Sequence, residues 1–186
     1  MNIYTRSILT ARQWLNDNPL FLDTETTGLG SEAEICEIAI VDGDGAIVLH
    51  SLVKPSRAIS PDATRVHGIA QADVESAPTF AALAQEITRL ITAAPTITYN
   101  AAYDTRMLRQ SARAAGLDWS RATLDARFRC AMLLYARFLV SYRWQKLSTA
   151  AVQCGIISNN LHRAVADART TRLLVQYMAE QQENEE

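Results

Sequence analysis

The chain has 186 residues, a net charge of −2 and 48% hydrophobic residues. This length predicts one domain, residues 1–186, that can bury an ordinary core. The small negative charge excludes a general polyanion binder of the histone type. The three cysteines are odd in number and widely spaced, which argues against a disulfide framework and favours a reducing compartment. Because neither a signal peptide nor a membrane segment is visible, we predict a soluble cytoplasmic protein that makes no membrane contact.

The first half of the chain predicts a helix followed by three strands. An amphipathic helical extension is predicted over residues 1–18, with four apolar residues on one stripe. Those residues are Ile8, Leu9, Trp14 and Leu15. Three β-rich runs follow, and an Asp-Gly-Asp-Gly turn between the second and the third indicates a hairpin. The runs cover residues 20–22, 35–41 and 46–53.

The second half predicts alternating helices and strands. Residues 54–78 contain three prolines and predict an irregular connection that can include a helical turn. Short strands are predicted at 96–99 and 123–124. Helices are predicted over residues 80–94, 101–115, 126–139, 147–154 and 164–182. The terminal segment 180–186 is acidic, and we predict a solvated, disordered tail. The order of these elements predicts an α/β sheet with helices packed on it.

Two carboxylates lie two residues apart where the first strand ends. Asp23 and Glu25 follow the apolar run 20–22, so both side chains are expected on the same face of the strand. Two carboxylates held so close repel each other unless a cation lies between them. The alternative is an ordinary polar strand end, because short acidic pairs are common in loops.

A second polar group follows the strand at 96–99. Asn100 is a natural helix N-cap, and Asp104 lies one turn into the helix on the same side. The alternative for Asp104 is a first-turn acid that complements the helix dipole.

A third polar pair begins the last helix. His162 and Asp167 are five residues apart, so they would not share a face of one continuous helix. We therefore predict that the helix begins after His162, which would leave His162 on a mobile loop and anchor Asp167. The alternatives are an exposed histidine and a surface acid.

Together, these residues predict a metal-dependent site at one edge of the sheet. Four carboxylates supply the oxygen ligands that two Mg²⁺ or Mn²⁺ ions prefer. Two such ions can promote phosphodiester hydrolysis. A histidine, which titrates near neutral pH, is suited to take the proton from the attacking water.

Five segments resemble the DEDDh exonucleases, a family that includes the proofreading subunit of the bacterial replicative polymerase, ribonuclease T and oligoribonuclease. They are LDTETTG at 22–28, EICEIAIV at 34–41, VHGI at 66–69, YNAAYD at 99–104 and HRAVADA at 162–168. The resemblance implies a ribonuclease H-like mixed sheet of about five strands with helices packed on it. The metal ligands that it implies are Asp23, Glu25, Asp104 and Asp167.

The same resemblance implies the roles of several further residues. His162 becomes the general base, while the tyrosine-type variant of the superfamily would carry Tyr at the position of Arg163. Contacts with the terminal nucleotide are implied for Thr26, Leu29 and His67. Glu37 is interpreted as structural. Asp125 is assigned to helix capping rather than to metal binding.

The implied activity is metal-dependent 3′–5′ hydrolysis of phosphodiester bonds in single-stranded nucleic acid, with release of nucleoside 5′-monophosphates. DNA is favoured over RNA only by the likeness to the proofreading subunit. A homodimer or a polymerase partner stays open. Exposed aromatic residues could stack on bases, although core positions are the commoner role for aromatic residues. The candidates are Tyr103, Phe138, Tyr142 and Trp144.

Two other hypotheses remain. The first is a non-catalytic nucleic-acid-binding or polymerase-accessory subunit that keeps the fold and docks through its N-terminal helix. The second is a non-nuclease α/β protein whose acids lie at strand and helix ends by chance; for this, several spaced motifs would have to coincide.

Overall fold

The structure is a computed structural model that describes residues 1–119, 124, 127–158 and 162–183. Its strands form one mixed sheet in the order β3-β2-β1-β4-β5. The strands are β1 (Leu20–Thr26), β2 (Ile35–Val41), β3 (Ile47–Leu52), β4 (Thr96–Thr98) and β5 (Phe128–Cys130). The helices within the described ranges are α1 (Ile3–Asn16), α2 (Pro61–His67), α3 (Gln71–Val74), α4 (Phe80–Ala93), α5 (Ala101–Ala114), α6 (Ala131–Phe138), α7 (Leu147–Gln153) and α8 (Ala164–Glu180).

Strand β1 lies at the centre of the sheet. It pairs antiparallel with β2 and parallel with β4. In the antiparallel pair Asp23 lies opposite Ala39, and Glu25 lies opposite Glu37. The strand was predicted to end at residue 22, but its ladder with β2 continues through both acids to Thr26. The two carboxylates are therefore held by strand pairing rather than by a loop.

Each face of the sheet is covered by its own set of helices. Alternate residues of β1 enter different cores, because successive side chains of a strand point to opposite faces. Phe21 packs with residues of α1, α6 and α8. Leu22 packs with residues of α4 and α5. Thus β1, and the acids it carries, is fixed from both sides.

Helix α1 is part of the first of these cores. Ile8 and Ala11 are fully buried there, and Ser7 is also buried. The predicted apolar stripe was wrong for Leu9, which is 37% exposed. The reason is that small side chains at positions 7 and 11 allow a close approach to the neighbouring elements, so the buried face is rotated away from Leu9.

Residues 180–183 of the predicted acidic tail have contacts with the rest of the protein. Glu180 closes α8, and the Arg12 guanidinium donates hydrogen bonds to the carbonyl oxygens of Ala179 and Gln181 at 2.9 Å each. Arg12 also pairs with the Glu183 carboxylate at 2.6 Å. An arginine at a helix C-terminus binds carbonyl groups that the helix leaves without partners. Residues 184–186 lie outside the described residues.

Three further differences concern the connections. Leu124, predicted to be in a strand, is helical and almost fully buried, and the strand beside β4 lies at Phe128–Cys130 instead. A short apolar run cannot be assigned to strand or helix from periodicity alone. The region 54–78, predicted to be an irregular connection with room for a helical turn, contains the two short helices α2 and α3. Asp125, assigned to capping, lies outside the described residues.

Within the described ranges, every helix is too short or too polar to cross a lipid bilayer.

The packing of α1 generates a prediction about stability. Ile8→Ala is expected to lower the free energy of unfolding by about 2–5 kcal/mol, because it leaves a cavity in a fully buried cluster. Urea denaturation measures this change. Leu9→Ala is the matched control on the same helix, and a change within about 0.5 kcal/mol is expected there. Equal effects of the two substitutions would contradict the packing of α1 on the sheet.

Candidate active site

Three of the four predicted acids converge beside the sheet. Asp23, Glu25 and Asp167 each place one carboxylate oxygen within 4.8 Å of the others, and all three are partly buried. Asp23 and Glu25 lie two residues apart on β1, and Asp167 lies in the first turn of α8. Strand pairing and the packing of one helix thus bring three negative charges together.

The fourth acid, Asp104, does not belong to the group of three converging oxygens. It lies in the first turn of α5 and is only 3% exposed. Its carboxylate accepts a hydrogen bond from the Thr24 hydroxyl at 3.0 Å. Asn100 occupies the predicted N-cap position, but its side chain does not cap the helix. The backbone carbonyl of Asn100 instead accepts from the Asp104 N–H at 3.1 Å.

The pKa values of the three converging carboxylates are all raised above their usual range. Burial, with the neighbouring charge of Asp104, raises the pKa of Asp23 well above its usual range. Burial and the charge of Asp167 raise the pKa of Glu25 to about 8. Burial also raises the pKa of Asp167, to about 6. A cation bound between the carboxylates would oppose all of these shifts.

The donor set fits a hard divalent cation. Every converging atom is a carboxylate oxygen, and Mg²⁺ and Mn²⁺ prefer such ligands over nitrogen or sulfur. The raised pKa values express burial first and mutual repulsion second, and a bound cation would oppose both effects. Asp23, Glu25 and Asp167 are therefore the residues that can hold a metal ion.

The last helix begins after His162, as predicted. Arg163 occupies the N-cap position and α8 starts at Ala164. His162 is exposed and has a left-handed backbone with φ of 70°, which turns the chain sharply before the helix. Its backbone N–H lies 3.3 Å from both carboxylate oxygens of Asp167. The chain therefore places His162 beside the carboxylate cluster and outside the helix.

Glu37 anchors this turn from the middle of the sheet. It is 1% exposed, and one of its oxygens accepts from the Ala164 N–H at 3.0 Å. The Arg163 guanidinium donates two further bonds, at 2.8 and 3.1 Å. His50 completes the set at 2.9 Å. The Glu37 carboxylate thus caps the start of α8. The residue at the N-cap position, Arg163, makes no capping bond with its own side chain.

Sequence reasoning interpreted Glu37 as structural but found none of its three partners, Arg163, Ala164 and His50. Arg163 was considered only as a position that excludes the tyrosine-type variant. A signal was present, since a charged residue within the apolar strand Ile35-Cys36-Glu37-Ile38 requires a buried cationic partner. The Thr24 hydroxyl that binds Asp104 was also missed, and no sequence pattern singled it out.

The anchor generates a second prediction. Glu37→Ala is expected to lower the free energy of unfolding by about 3 kcal/mol, because it removes a buried partner of Arg163 and uncaps α8. Chemical denaturation measures the loss. The control is Glu32→Ala, which removes the exposed partner of Arg57 and should cost at most about 1 kcal/mol. A Glu37 effect no larger than that of Glu32 would contradict the anchoring role.

A hollow of about 340 Å³ opens beside Glu25; we call it the Leu29 hollow. Its lining includes all three residues that were predicted to contact the terminal nucleotide, namely Thr26, Leu29 and His67. Leu29 is 77% exposed and offers an apolar surface to a ligand. Tyr103 also lines the hollow.

Two of these lining residues already have partners within the protein. The Thr26 hydroxyl donates to the Gly28 carbonyl at 2.9 Å and lies 2.6 Å from the Tyr103 hydroxyl. His67 is 5% exposed, and its Nδ1 accepts from the Ile69 N–H at 3.0 Å. Burial lowers the pKa of His67. His67 therefore shapes the wall of the hollow as a neutral, packed side chain.

The raised pKa values generate a third prediction. Between about pH 6.5 and pH 8 the folded, metal-free protein retains protons that the unfolded chain has already released. Its free energy of unfolding in EDTA is therefore expected to fall as pH rises through this range. Mn²⁺ should raise the melting temperature more at pH 8 than at pH 6.5, because it competes with those protons. Thermal unfolding at both pH values measures the two effects.

Glu25→Gln is the control for this experiment, since the amide cannot titrate. In EDTA its stability should depend less on pH than that of the unaltered protein. The lowered pKa of His67 acts in the opposite sense below about pH 6.5, so measurements start there. A metal-free stability that rises between pH 6.5 and 8 in the unaltered protein, but not in Glu25→Gln, would contradict the assignment.

Comparison with known proteins identifies the family. A model of the RNase_T exonuclease family matches residues 20–175. The uncharacterized exonuclease CP81 of Escherichia phage 186 is 40% identical over 178 residues, which cover 91% of this chain and 92% of the phage protein. The DNA polymerase III subunit epsilon of Treponema pallidum is 31% identical over 152 residues, which cover 79% of this chain and 69% of that subunit.

A solved structure agrees with the sequence comparisons. Exonuclease X, determined in complex with 5′ overhanging duplex DNA, has a TM-score of 0.65 and 26% identity, over 86% of this chain and 90% of its own. The predicted ribonuclease H-like mixed sheet is thereby confirmed. The chain belongs to the RNase_T exonuclease family, and it is a nuclease.

Proposed function

We propose that the chain is a 3′–5′ exonuclease that uses two Mg²⁺ or Mn²⁺ ions and acts on single-stranded nucleic acid. The observation that carries this proposal is the convergence of Asp23, Glu25 and Asp167 within 4.8 Å, with His162 at the adjoining turn. A protein without a cation at this place would gain nothing from three mutually repelling carboxylates. The products are nucleoside 5′-monophosphates.

Each residue of the site has its own role in the proposed reaction. Asp23, Glu25 and Asp167 would hold a divalent cation, and Asp104, bonded to Thr24, would be a further ligand for a second one. Bound divalent cations activate water and stabilise charge on the phosphate and on the leaving oxygen. His162 takes the proton of the attacking water from its exposed position beside Asp167. The Leu29 hollow receives the terminal nucleotide.

DNA is the proposed substrate class. Support comes from the relative named DNA polymerase III subunit epsilon and from exonuclease X, whose structure contains DNA. The likeness to the DNA polymerase III subunit epsilon also supports a polymerase as a partner. The competing proposal is a non-catalytic accessory subunit. A non-catalytic subunit would not need the four acids and His162.

The direct test is a gel assay on a 5′-labelled single strand, as DNA and as RNA, with Mg²⁺, Mn²⁺ or EDTA. A metal-dependent ladder that descends from the 3′ end is expected, with faster shortening of DNA. Asp23→Asn should abolish the ladder, and His162→Ala should slow it about 10²–10⁴-fold, as expected for loss of a general base. Asp44→Asn, on the exposed hairpin turn, is the control and should leave the rate unchanged.

The outcomes separate the candidate functions. Cleavage of a circular single strand would indicate an endonuclease and overturn the proposal. The absence of shortening with either metal and either strand would favour the accessory subunit. Shortening that persists in EDTA would remove the role assigned to the carboxylates.

A further inference from the structure

A second hollow, of about 640 Å³, opens beside Asp167 of the carboxylate cluster. We call it the Trp144 groove. His162 and Asp167 line one end of it, and Trp144 and Lys146 line another part. It contains neither Glu25 nor any of the three residues predicted to contact the terminal nucleotide. Val66 is 56% exposed and borders both hollows, so α2 forms the ridge between them.

The two sides of the scissile phosphodiester can be matched to the two hollows. Hydrolysis requires the phosphorus atom at the acids and a nucleoside on either side of it. The Leu29 hollow, at about 340 Å³, lies at the lower end of the size range for small-ligand sites and suits one nucleotide. The Trp144 groove is nearly twice as large and is lined by another acid of the cluster, Asp167. The rest of the strand must leave the site through a path of this kind.

The groove's wall has the chemistry that a single strand requires. Trp144 is 61% exposed, although large aromatic side chains are usually well buried. It lies in the connection 139–146 between α6 and α7, which contains Arg143 and Lys146 and no acidic residue. Neither cation forms an ion pair with any residue that the structure describes. Lys146 lines the groove, whereas Arg143 lies outside its lining. An exposed aromatic ring beside an unpaired cation is typical of surfaces that stack bases and bind phosphates.

The connection is held in place against the catalytic edge of the sheet. The Tyr99 hydroxyl, at the end of β4, donates a hydrogen bond of 2.5 Å to the Gln145 carbonyl. The Tyr99 carbonyl in turn accepts from the Met132 N–H at 2.9 Å, which ties the start of α6 to the same strand. Trp144 and Lys146 flank the anchored residue. Their backbone is therefore positioned before any ligand binds, which lowers the entropic cost of binding.

We infer that the Trp144 groove binds the nucleotides on the 5′ side of the scissile phosphate, with Trp144 stacking on a base and Lys146 contacting a phosphate. This inference rests on the proposed function and assigns a path for the substrate strand. A net charge of −2 provides no general attraction for a polyanion, so such a local cationic surface supplies it.

The first experiment compares a substrate that has nucleotides on the 5′ side of its scissile phosphate with one that has none. One is the single strand (dT)₈. The other is the p-nitrophenyl ester of thymidine 5′-monophosphate, which has no nucleotide on the 5′ side of its phosphate. Trp144→Ala is expected to lower the ratio of kcat/KM for (dT)₈ to that for the ester about 10-fold. Trp144→Phe should restore most of the ratio.

Tyr142→Ala is the matched control. Tyr142 is an aromatic residue of the same connection and is fully exposed, but it does not line the groove. Its substitution should leave the ratio unchanged. Because both aromatic side chains are exposed, neither substitution is expected to unfold the protein, and thermal melting checks this.

The second experiment measures binding without catalysis. Fluorescence anisotropy of labelled (dT)₈ in EDTA should show a Kd about 10-fold weaker for Trp144→Ala than for Tyr142→Ala. Lys146→Met should lower the slope of log K against log salt by about 0.7, the value for one phosphate contact on a single strand. Arg143→Met, in the same connection but outside the lining of the groove, should change that slope less.

The results distinguish this inference from the proposed function. If the unaltered chain hydrolyses neither substrate, the proposed function fails. The anisotropy comparison then tests by itself whether the groove binds a single strand. If both substrates are hydrolysed and Trp144→Ala behaves like Tyr142→Ala in rate and in binding, the groove assignment is overturned. A Trp144→Ala effect that is equal on the ester and on (dT)₈ would also overturn it, because the ester has no nucleotide on the 5′ side of its phosphate.

Discussion

The carboxylate of Glu37, in the middle of β2, receives three hydrogen bonds from Arg163 and Ala164 at the start of α8. These bonds fix where the helix begins and how it is rotated. The rotation matters because Asp167, one turn further on, must face Asp23 on the neighbouring strand. The turn at His162 is set by the same contact. The arrangement of the acids therefore depends on a group that is itself outside the carboxylate cluster.

The fold also has to hold charges that repel one another. Raised pKa values for Asp23, Glu25 and Asp167 indicate that burial and mutual repulsion disfavour their ionised forms. Glu37 differs, because its Arg163 partner lowers its pKa despite the cost of burial. Glu37 is thus neutralised within the protein, whereas the acids of the site are left to be neutralised from outside. This contrast separates the residue that maintains structure from those available to a cation.

Much of this could be predicted from local pattern. The alternation of apolar runs indicated the sheet, and the start of α8 after His162 followed from the five-residue spacing to Asp167. What could not be predicted depends on long-range packing. The rotation of α1 that exposes Leu9 is decided by its neighbours, and so is the shift of the last strand to Phe128–Cys130. Hydrogen bonds between distant residues, such as Thr24 to Asp104, leave no periodic signal in the sequence.

The separation in sequence between Glu37 and Arg163 is 126 residues. Synthesis proceeds from the N-terminus, so an emerging chain that extends only as far as α5 contains Asp23, Glu25 and Asp104 but lacks Asp167 and His162. The hairpin and its acids can form early because their contacts are local, whereas the contact that orients α8 closes one of the longest loops in the molecule. A nuclease built in this order has an incomplete set of acids on the ribosome, among the nucleic acids of the translation machinery, until the start of α8 has been made.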